Sequence, residues 1–242
     1  MNSKDFAAGY PRTEDGFIKF PRDLELRRKW FCPEAVLHPA KMNLHLLQAI
    51  IEHVTKPDDV VLDCMSGSGS LMIATLPPEL NRKVVLIEDA PIFHYRQTLS
   101  REKFIAAGVS EENITLLQGP CQEYLPMTEY FNHCIFSPPY ADMMSWGDEV
   151  KVTGTADGFV AQNKDALEDY RGASKMNLGR MKPFYFNQES TKIYRMILES
   201  LKPGGTMTVV AQDLMKKGVR EELTSWIART CIRMGFELLL WE

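Results

Sequence analysis

Val60-Val61-Leu62-Asp63-Cys64-Met65-Ser66-Gly67-Ser68-Gly69-Ser70 is the stretch on which the fold turns. An unbroken apolar run ends in a carboxylate, and a tight loop of small residues follows. A run of this kind is buried on both faces, as in a parallel sheet. Leu71 to Leu76 is predicted to begin a helix, stopped by Pro77-Pro78. Upstream, Leu44, Leu47, Ile51 and Val54 mark one helical face. Downstream the unit repeats. Lys83 to Ile87 is a predicted strand ending at Glu88, and Pro91 opens a helix running to about Gly108. Ile114 to Leu117 is a third strand, ending at Gln118-Gly119. His133 to Phe136 is a fourth, ending at Ser137-Pro138-Pro139-Tyr140. A helix over Ser190–Leu201, a fifth strand over Thr206–Val210, a helix over Glu221–Met234 and a sixth strand over Phe236–Trp241 are expected to complete the series. Alternating strands and helices of this kind predict an α/β domain with a doubly wound, mostly parallel Rossmann-like sheet. Ligands of such sheets bind at the carboxyl ends of the strands.

The chain has 242 residues, 45% hydrophobic and 25% charged. That composition is globular and large enough to bury a core unaided. Neither a membrane span nor a signal peptide is evident, so a cytoplasmic location is expected. Five cysteines without paired spacing predict reduced thiols and neither a disulfide scaffold nor a metal site. The net charge of −4 argues against a nucleic-acid coat, though not against a local basic surface.

The loop after Asp63 is neither a dinucleotide nor a triphosphate fingerprint. From Gly67 and Gly69 the third glycine of G-x-G-x-x-G would fall at Met72, and no lysine of a phosphate loop is present. Small residues there still allow a ligand to approach the backbone closely. Glu88, with Asp89 as its rival, can accept ribose hydroxyls from the second strand's end. Together these describe a nucleoside site with no phosphate requirement. In Ser137-Pro138-Pro139-Tyr140 the two prolines lack N–H groups and cannot continue a ladder. They leave rigid carbonyls at the strand's end.

On three of these stretches the chain resembles the S-adenosylmethionine-dependent amino-methyltransferases of DNA. His38-Pro39-Ala40-Lys41 is similar to the family's segment beside the methionine end of the cofactor. Asp63 to Ser70 resembles its D-x-x-x-G-[ST]-G-[ST] loop. Ser137 to Tyr140 resembles its [DNS]-P-P-[YFW] motif, in the serine form typical of N4-cytosine enzymes. The resemblance covers roughly residues 33–242 and implies the class I methyltransferase fold. Residues 1–32 would be an amino-terminal extension, and 141–187 an insertion facing DNA. The last antiparallel strand usual in the family is expected to be missing, since the chain ends at Glu242.

The resemblance implies S-adenosylmethionine as cofactor. Its amino-acid end would be cradled by His38, Pro39, Lys41, Asp63, Met65 and Ser66 to Gly69. Glu88, with Asp89 beside it, would hold the ribose, and Gln118, Gly119 and Pro120 would line the adenine. It implies double-stranded DNA as substrate and leaves room for a restriction-modification partner, an endonuclease; the oligomeric state stays open. Ser137 Oγ and the Pro138 carbonyl would accept the two hydrogens of a base amine, leaving its nitrogen more nucleophilic. Pro139 would stiffen the turn, and Tyr140 would stack on a base flipped from the duplex. Arg171, Lys175, Arg180 and Lys182 are the only charged residues between Tyr170 and Gln188, and Phe184, Tyr185 and Phe186 follow them. That combination suits phosphate contacts beside stacking rings. Lys19, Arg22, Arg27, Arg28 and Lys29 form a second basic cluster, read as flanking the same cleft. Adenine-N6 transfer, guanine-N2 transfer to tRNA, and a non-catalytic nucleic-acid-binding subunit are the competing readings.

Overall fold

The computed structural model describes residues 6–36, 41–143, 169–216 and 219–239. Five parallel strands form its sheet, in the order β3-β2-β1-β4-β5. They are β1 (Val60–Asp63), β2 (Lys83–Glu88), β3 (Ile114–Gln118), β4 (Phe131–Phe136) and β5 (Leu201–Val209). The helices are α1 (Leu24–Trp30), α2 (Pro33–Val36), α3 (Leu44–Val54), α4 (Pro91–Ala106), α5 (Pro183–Ser200) and α6 (Leu223–Met234).

The unbroken apolar runs follow from burial on both faces. Val61, Val84, Leu86 and Ile135 point into one core layer, with Leu44, Leu47, Ile50 and Ile51 of α3 and Phe104 of α4. Their neighbours Leu62, Val85, Ile87, Cys134 and Phe136 point into the other, with Ile193, Tyr194 and Ile197 of α5. The period of two sends successive side chains to opposite layers, so every strand position must be apolar. Asn43 caps α3, its side-chain oxygen accepting from the amides of His45 and Leu46. The amino-terminal stretch joins the first layer: Phe6, Phe31 and Cys32 are buried in it.

Four local expectations change. The helix after the small-residue loop is a single 3-10 stretch, Ser70–Thr75, because Gly69 enters it in the left-handed region and Pro77 follows at once. The helix expected from Ser190 starts at Pro183, placing the aromatic run Phe184 to Phe186 in its first turn. Strand β5 begins at Leu201 and runs through Pro203-Gly204-Gly205, with a register shift against Phe131–His133 that accommodates the turn residues. Residues 236–239 of the expected sixth strand are irregular, and 240–242 lie outside the described residues. In its place an antiparallel hairpin, β6 (Leu214–Lys216) with β7 (Val219–Glu221), precedes α6. Among the described residues the main sheet ends at β5. No helix of the described residues is long and apolar enough to cross a membrane.

Candidate active site

The carboxyl ends of β1, β2, β3, β4 and β5 open into one cleft of about 540 Å³. That size suits a ligand of nucleoside dimensions or larger. Asp63, at the end of β1, is buried, and its Oδ1 accepts from the Met65 amide at 3.1 Å. The loop is then bound to β2: the Ser66 amide and hydroxyl both donate to the Ile87 carbonyl, at 3.1 and 3.0 Å. Glu88 Oε2 accepts from the Gly67 amide at 2.6 Å and Oε1 from the Ala90 amide at 2.8 Å.

Both carboxyls are hard to ionise. Burial pushes Asp63 up to about 7; the Met65 amide opposes this and the charge of Glu88 adds to it. Burial likewise pushes Glu88 up to about 7, against the Ala90 and Gly67 amides and with help from Asp89.

Two side chains that sequence reading did not assign to the loop hold it from behind. Gln97 of α4 is wholly buried, and its Nε2 donates to Ser66 Oγ at 2.9 Å and to the Gly67 carbonyl at 2.8 Å. A signal for it exists: Phe93, Gln97, Ser100 and Phe104 share the buried stripe of α4, where a glutamine is out of place without a polar task. Arg27, expected in an exposed basic cluster, is only 2% exposed. Its Nε donates to Asp23 Oδ2 at 2.8 Å, Nη1 to Ser70 Oγ at 3.1 Å, and Nη2 to the Met42 carbonyl. Asp23 Oδ2 also accepts from the Leu44 amide at 2.9 Å. One guanidinium thus joins α1, the entry to α3 and the exit of the loop. Gly69 has φ +75°, and a Cβ there would come within 3.0 Å of both Gln97 Cγ and Met72 Cε. Gly69→Ala is therefore expected to destabilise the fold by about 1–2 kcal/mol from backbone conformation alone. Urea unfolding of the variant checks this, and an unchanged midpoint would refute it.

Asp89 lies on the cleft, with its carboxylate engaged by Ser174 and Asn177. It accepts from the Ser174 amide and hydroxyl and from Asn177 Nδ2, all at 3.1 Å. These bonds seat residues 174–178, of which Met176, Asn177 and Leu178 line the cleft. Tyr170 packs edge-on against Phe93, ring centroids 4.7 Å apart. Gly119 and Pro120 line the cleft at the end of β3, joined by Cys121 and Gln122. Gln118 is exposed and not among the lining residues; its carbonyl accepts from the Tyr124 hydroxyl at 2.7 Å. Lys41 and Met65 line the cleft, whereas His38 and Pro39 lie outside the described residues.

Ser137 to Tyr140 leave β4 directly into the same cleft. Pro138 is buried and Ser137 exposed at the opening. Burial raises the Tyr140 phenol, and the backbone and side chain of Gln212, just past β5, oppose that rise. The Val210 amide donates to the Phe136 carbonyl at 2.9 Å, which carries the pairing of β4 and β5 up to the motif. Gln212 is a further cleft residue that sequence reading missed.

The basic residues are placed unevenly. Lys175 is exposed. Arg180 Nη2 donates to the Tyr170 carbonyl at 2.8 Å, and Lys182 Nζ lies 2.9 Å from Asp142 Oδ2. The side chain of Arg171 and residues 144–168 of the expected insertion lie outside the described residues. All five cysteines are free and buried, and no metal-binding group of three or more His, Cys, Asp or Glu occurs among the described residues.

Residues 15–98 match the family model described as DNA methylase. The match includes Asp63 to Ser70 and Glu88 and stops before Ser137. No curated protein gives a match. Among solved structures, the chain is similar to TrmN from Thermus thermophilus, at 18% identity over 80% of this chain and 50% of that one, with a TM-score of 0.47. It is similar to the [4+2]-cyclase SpnF at 17% identity over 81% and 59%, TM-score 0.47. It is similar to a SAM-dependent methyltransferase from Thiobacillus denitrificans, in complex with S-adenosyl-L-homocysteine, at 16% over 78% and 56%, TM-score 0.37. The chain spans about half the length of these proteins.

Proposed function

From the DNA methylase segment that residues 15–98 carry, we propose that this chain moves a methyl group from S-adenosylmethionine to the exocyclic N4 of cytosine in DNA. One observation carries the reading: Ser137-Pro138-Pro139-Tyr140 opens into the same cleft as Asp63 to Ser70 and Glu88. A nucleoside-holding loop and two acceptors for a base amine thereby share one space.

The residues present fit the cofactor. Gly67, left-handed at φ 48°, puts loop backbone on the cleft wall, whereas Gly69 turns the chain from behind that wall, and a buried carboxylate waits at the end of β2. When bound, S-adenosylmethionine supplies a methyl group already activated on a sulfonium. The chain's own residues orient and accept. Asp63 and the loop of Ser66 to Gly69 hold the amino-acid end, and Glu88 accepts the ribose hydroxyls. Gly119 and Pro120 border the adenine. Ser137 Oγ and the Pro138 carbonyl accept the two N–H groups of the base, which draws the lone pair out of the ring and toward the methyl group. Positioning accounts for most of the rate in such a transfer, because the methyl donor needs no further activation. Tyr140 stacks on the flipped base.

The test is methyl transfer from labelled cofactor to duplex DNA and, in parallel, to bulk tRNA, with the nucleosides analysed by mass spectrometry. N4-methylcytosine in DNA is expected. N6-methyladenine would keep the mechanism and overturn the role of Ser137 in choosing the base. Label in tRNA alone would overturn the DNA reading.

Cofactor binding should depend on pH in a definite direction. In the ligand-free protein burial pushes both Asp63 and Glu88 up to about 7. The ribose hydroxyls and the cofactor's cationic groups favour the ionised forms, so binding releases protons. Affinity is then weak at pH 6, rises through 7 and levels above 8, by at most about tenfold per pH unit for each proton released. The ligand-free fold moves the opposite way. Its raised carboxyls favour the folded state at low pH, and that contribution is lost as pH rises through 7. Calorimetric titrations in two buffers of different ionisation enthalpy check the proton release. Binding that does not change between pH 6 and 8 would sink the assignment of both carboxyls.

A further inference from the structure

The run Phe184-Tyr185-Phe186 is divided by the start of α5. Phe186 is 2% exposed and packs toward Trp226, whereas Phe184 and Tyr185 are 66% and 60% exposed. The two exposed rings meet edge-on, with centroids 5.4 Å apart. Single exposed apolar residues are ordinary, but two adjacent rings in mutual contact and turned to solvent are a surface. Their position is fixed by the cleft. The Asp142 amide donates to the Met181 carbonyl at 2.8 Å, and Lys182 pairs with Asp142. Asp142 lies two residues beyond Tyr140, so the rings stand three and four residues from a backbone bond made beside the proposed catalytic motif. The charge around them is of one sign in sequence: residues 171–188 hold Arg171, Lys175, Arg180 and Lys182 and no acid.

We propose that Phe184 and Tyr185 are a stacking pair that docks on duplex DNA beside the cleft, against bases left without a neighbour when the target nucleotide turns out of the stack. This rests on the DNA reading proposed above and deepens it. Flat rings stack on any base, so the pair supplies affinity and holds the duplex open without reading sequence. Lys175 and Arg180, both exposed, meet the phosphates. Because both rings are solvent-facing, their removal leaves the core layers and the cofactor loop intact.

The test compares the wild-type protein with the double variant Phe184→Ala, Tyr185→Ala. Fluorescence anisotropy reads the affinity for a short labelled duplex carrying one abasic site, and for the same duplex without it. The expected result is a loss of about tenfold or more on the abasic duplex and a smaller loss on the intact one. The urea midpoint and the cofactor affinity should stay at wild-type values. The exchange Phe184→Tyr, Tyr185→Phe should restore binding, since both rings remain. Equal affinities for wild type and variant overturn the proposal and leave the methyl-transfer reading standing. An equal loss on both duplexes overturns the stacking role. A wild-type dimer that the double variant dissociates assigns the rings to a protein contact and overturns it as well. Failure of the wild type to bind either duplex, with methyl transfer to tRNA, overturns this proposal and the DNA reading together.

Discussion

Arg27→Ala is expected to lower the unfolding free energy by about 3–5 kcal/mol, the range for breaking a buried ion pair by removing one partner. The guanidinium is nearly inaccessible and touches three partners, Asp23, Ser70 and the Met42 carbonyl, while Asp23 in turn accepts from the Leu44 amide. Burial weakens its hold on the proton, and the carboxylate of Asp23 works against that loss. Alanine leaves the Met42 carbonyl without its side-chain donor and the Asp23 charge with the Leu44 amide and no cation. It also frees the exit of the loop, so cofactor affinity should fall together with stability. Arg27→Lys keeps the charge but cannot reach three acceptors at once, and an intermediate loss is expected. Urea denaturation measures the first effect and calorimetric titration the second. A loss under about 1 kcal/mol for the alanine variant would mean that the network is solvated in solution and does not hold the loop.

Ser137→Ala is the second large effect, and it falls on rate. One acceptor for the base amine disappears from a site that the bound base itself closes to water, at a cost of about 1–3 kcal/mol. That corresponds to a kcat lower by about tenfold to a hundredfold. Cofactor affinity and the urea midpoint should not move, because Ser137 is exposed at the cleft opening and carries no core contact. Single-turnover measurement with saturating DNA and cofactor isolates the step. Wild-type turnover in the alanine variant would remove Ser137 from the mechanism. Tyr140→Phe gives a useful contrast. It keeps the stacking ring and loses only the hydroxyl, so its deficit should be the smaller of the two.

Much of the fold was legible because its information is local. A strand buried on both faces must be apolar at every position, and Val60 to Leu62, Val84 to Ile87 and Cys134 to Phe136 say so directly. Residues at strand ends face the cleft by the geometry of a parallel sheet. Asp63, Ser66 to Ser68, Glu88, Gly119, Pro120 and Ser137 to Tyr140 therefore line it as their sequence positions predict. The start of α5 was harder to read. Pro183 is a good first helical residue, but three aromatics after it resemble a loop returning to the core. Only Phe186 makes that return. The expected sixth strand drew on a short apolar run, and such runs do not distinguish a strand from an extended tail.

The amino-acid sequence by itself determined a parallel α/β sheet, the loop after Asp63, the acid at Glu88 and the motif at Ser137, because each is written in neighbouring residues. Only the tertiary structure decided which polar groups hold that loop. Arg27 reaches Ser70 across 43 positions, Gln97 reaches Ser66 across 31, and Asp89 grips Ser174 across 85. Nothing in the residues between them encodes such pairings. They arise when packing removes water from a charged or amide side chain and leaves it to find its partners inside the protein.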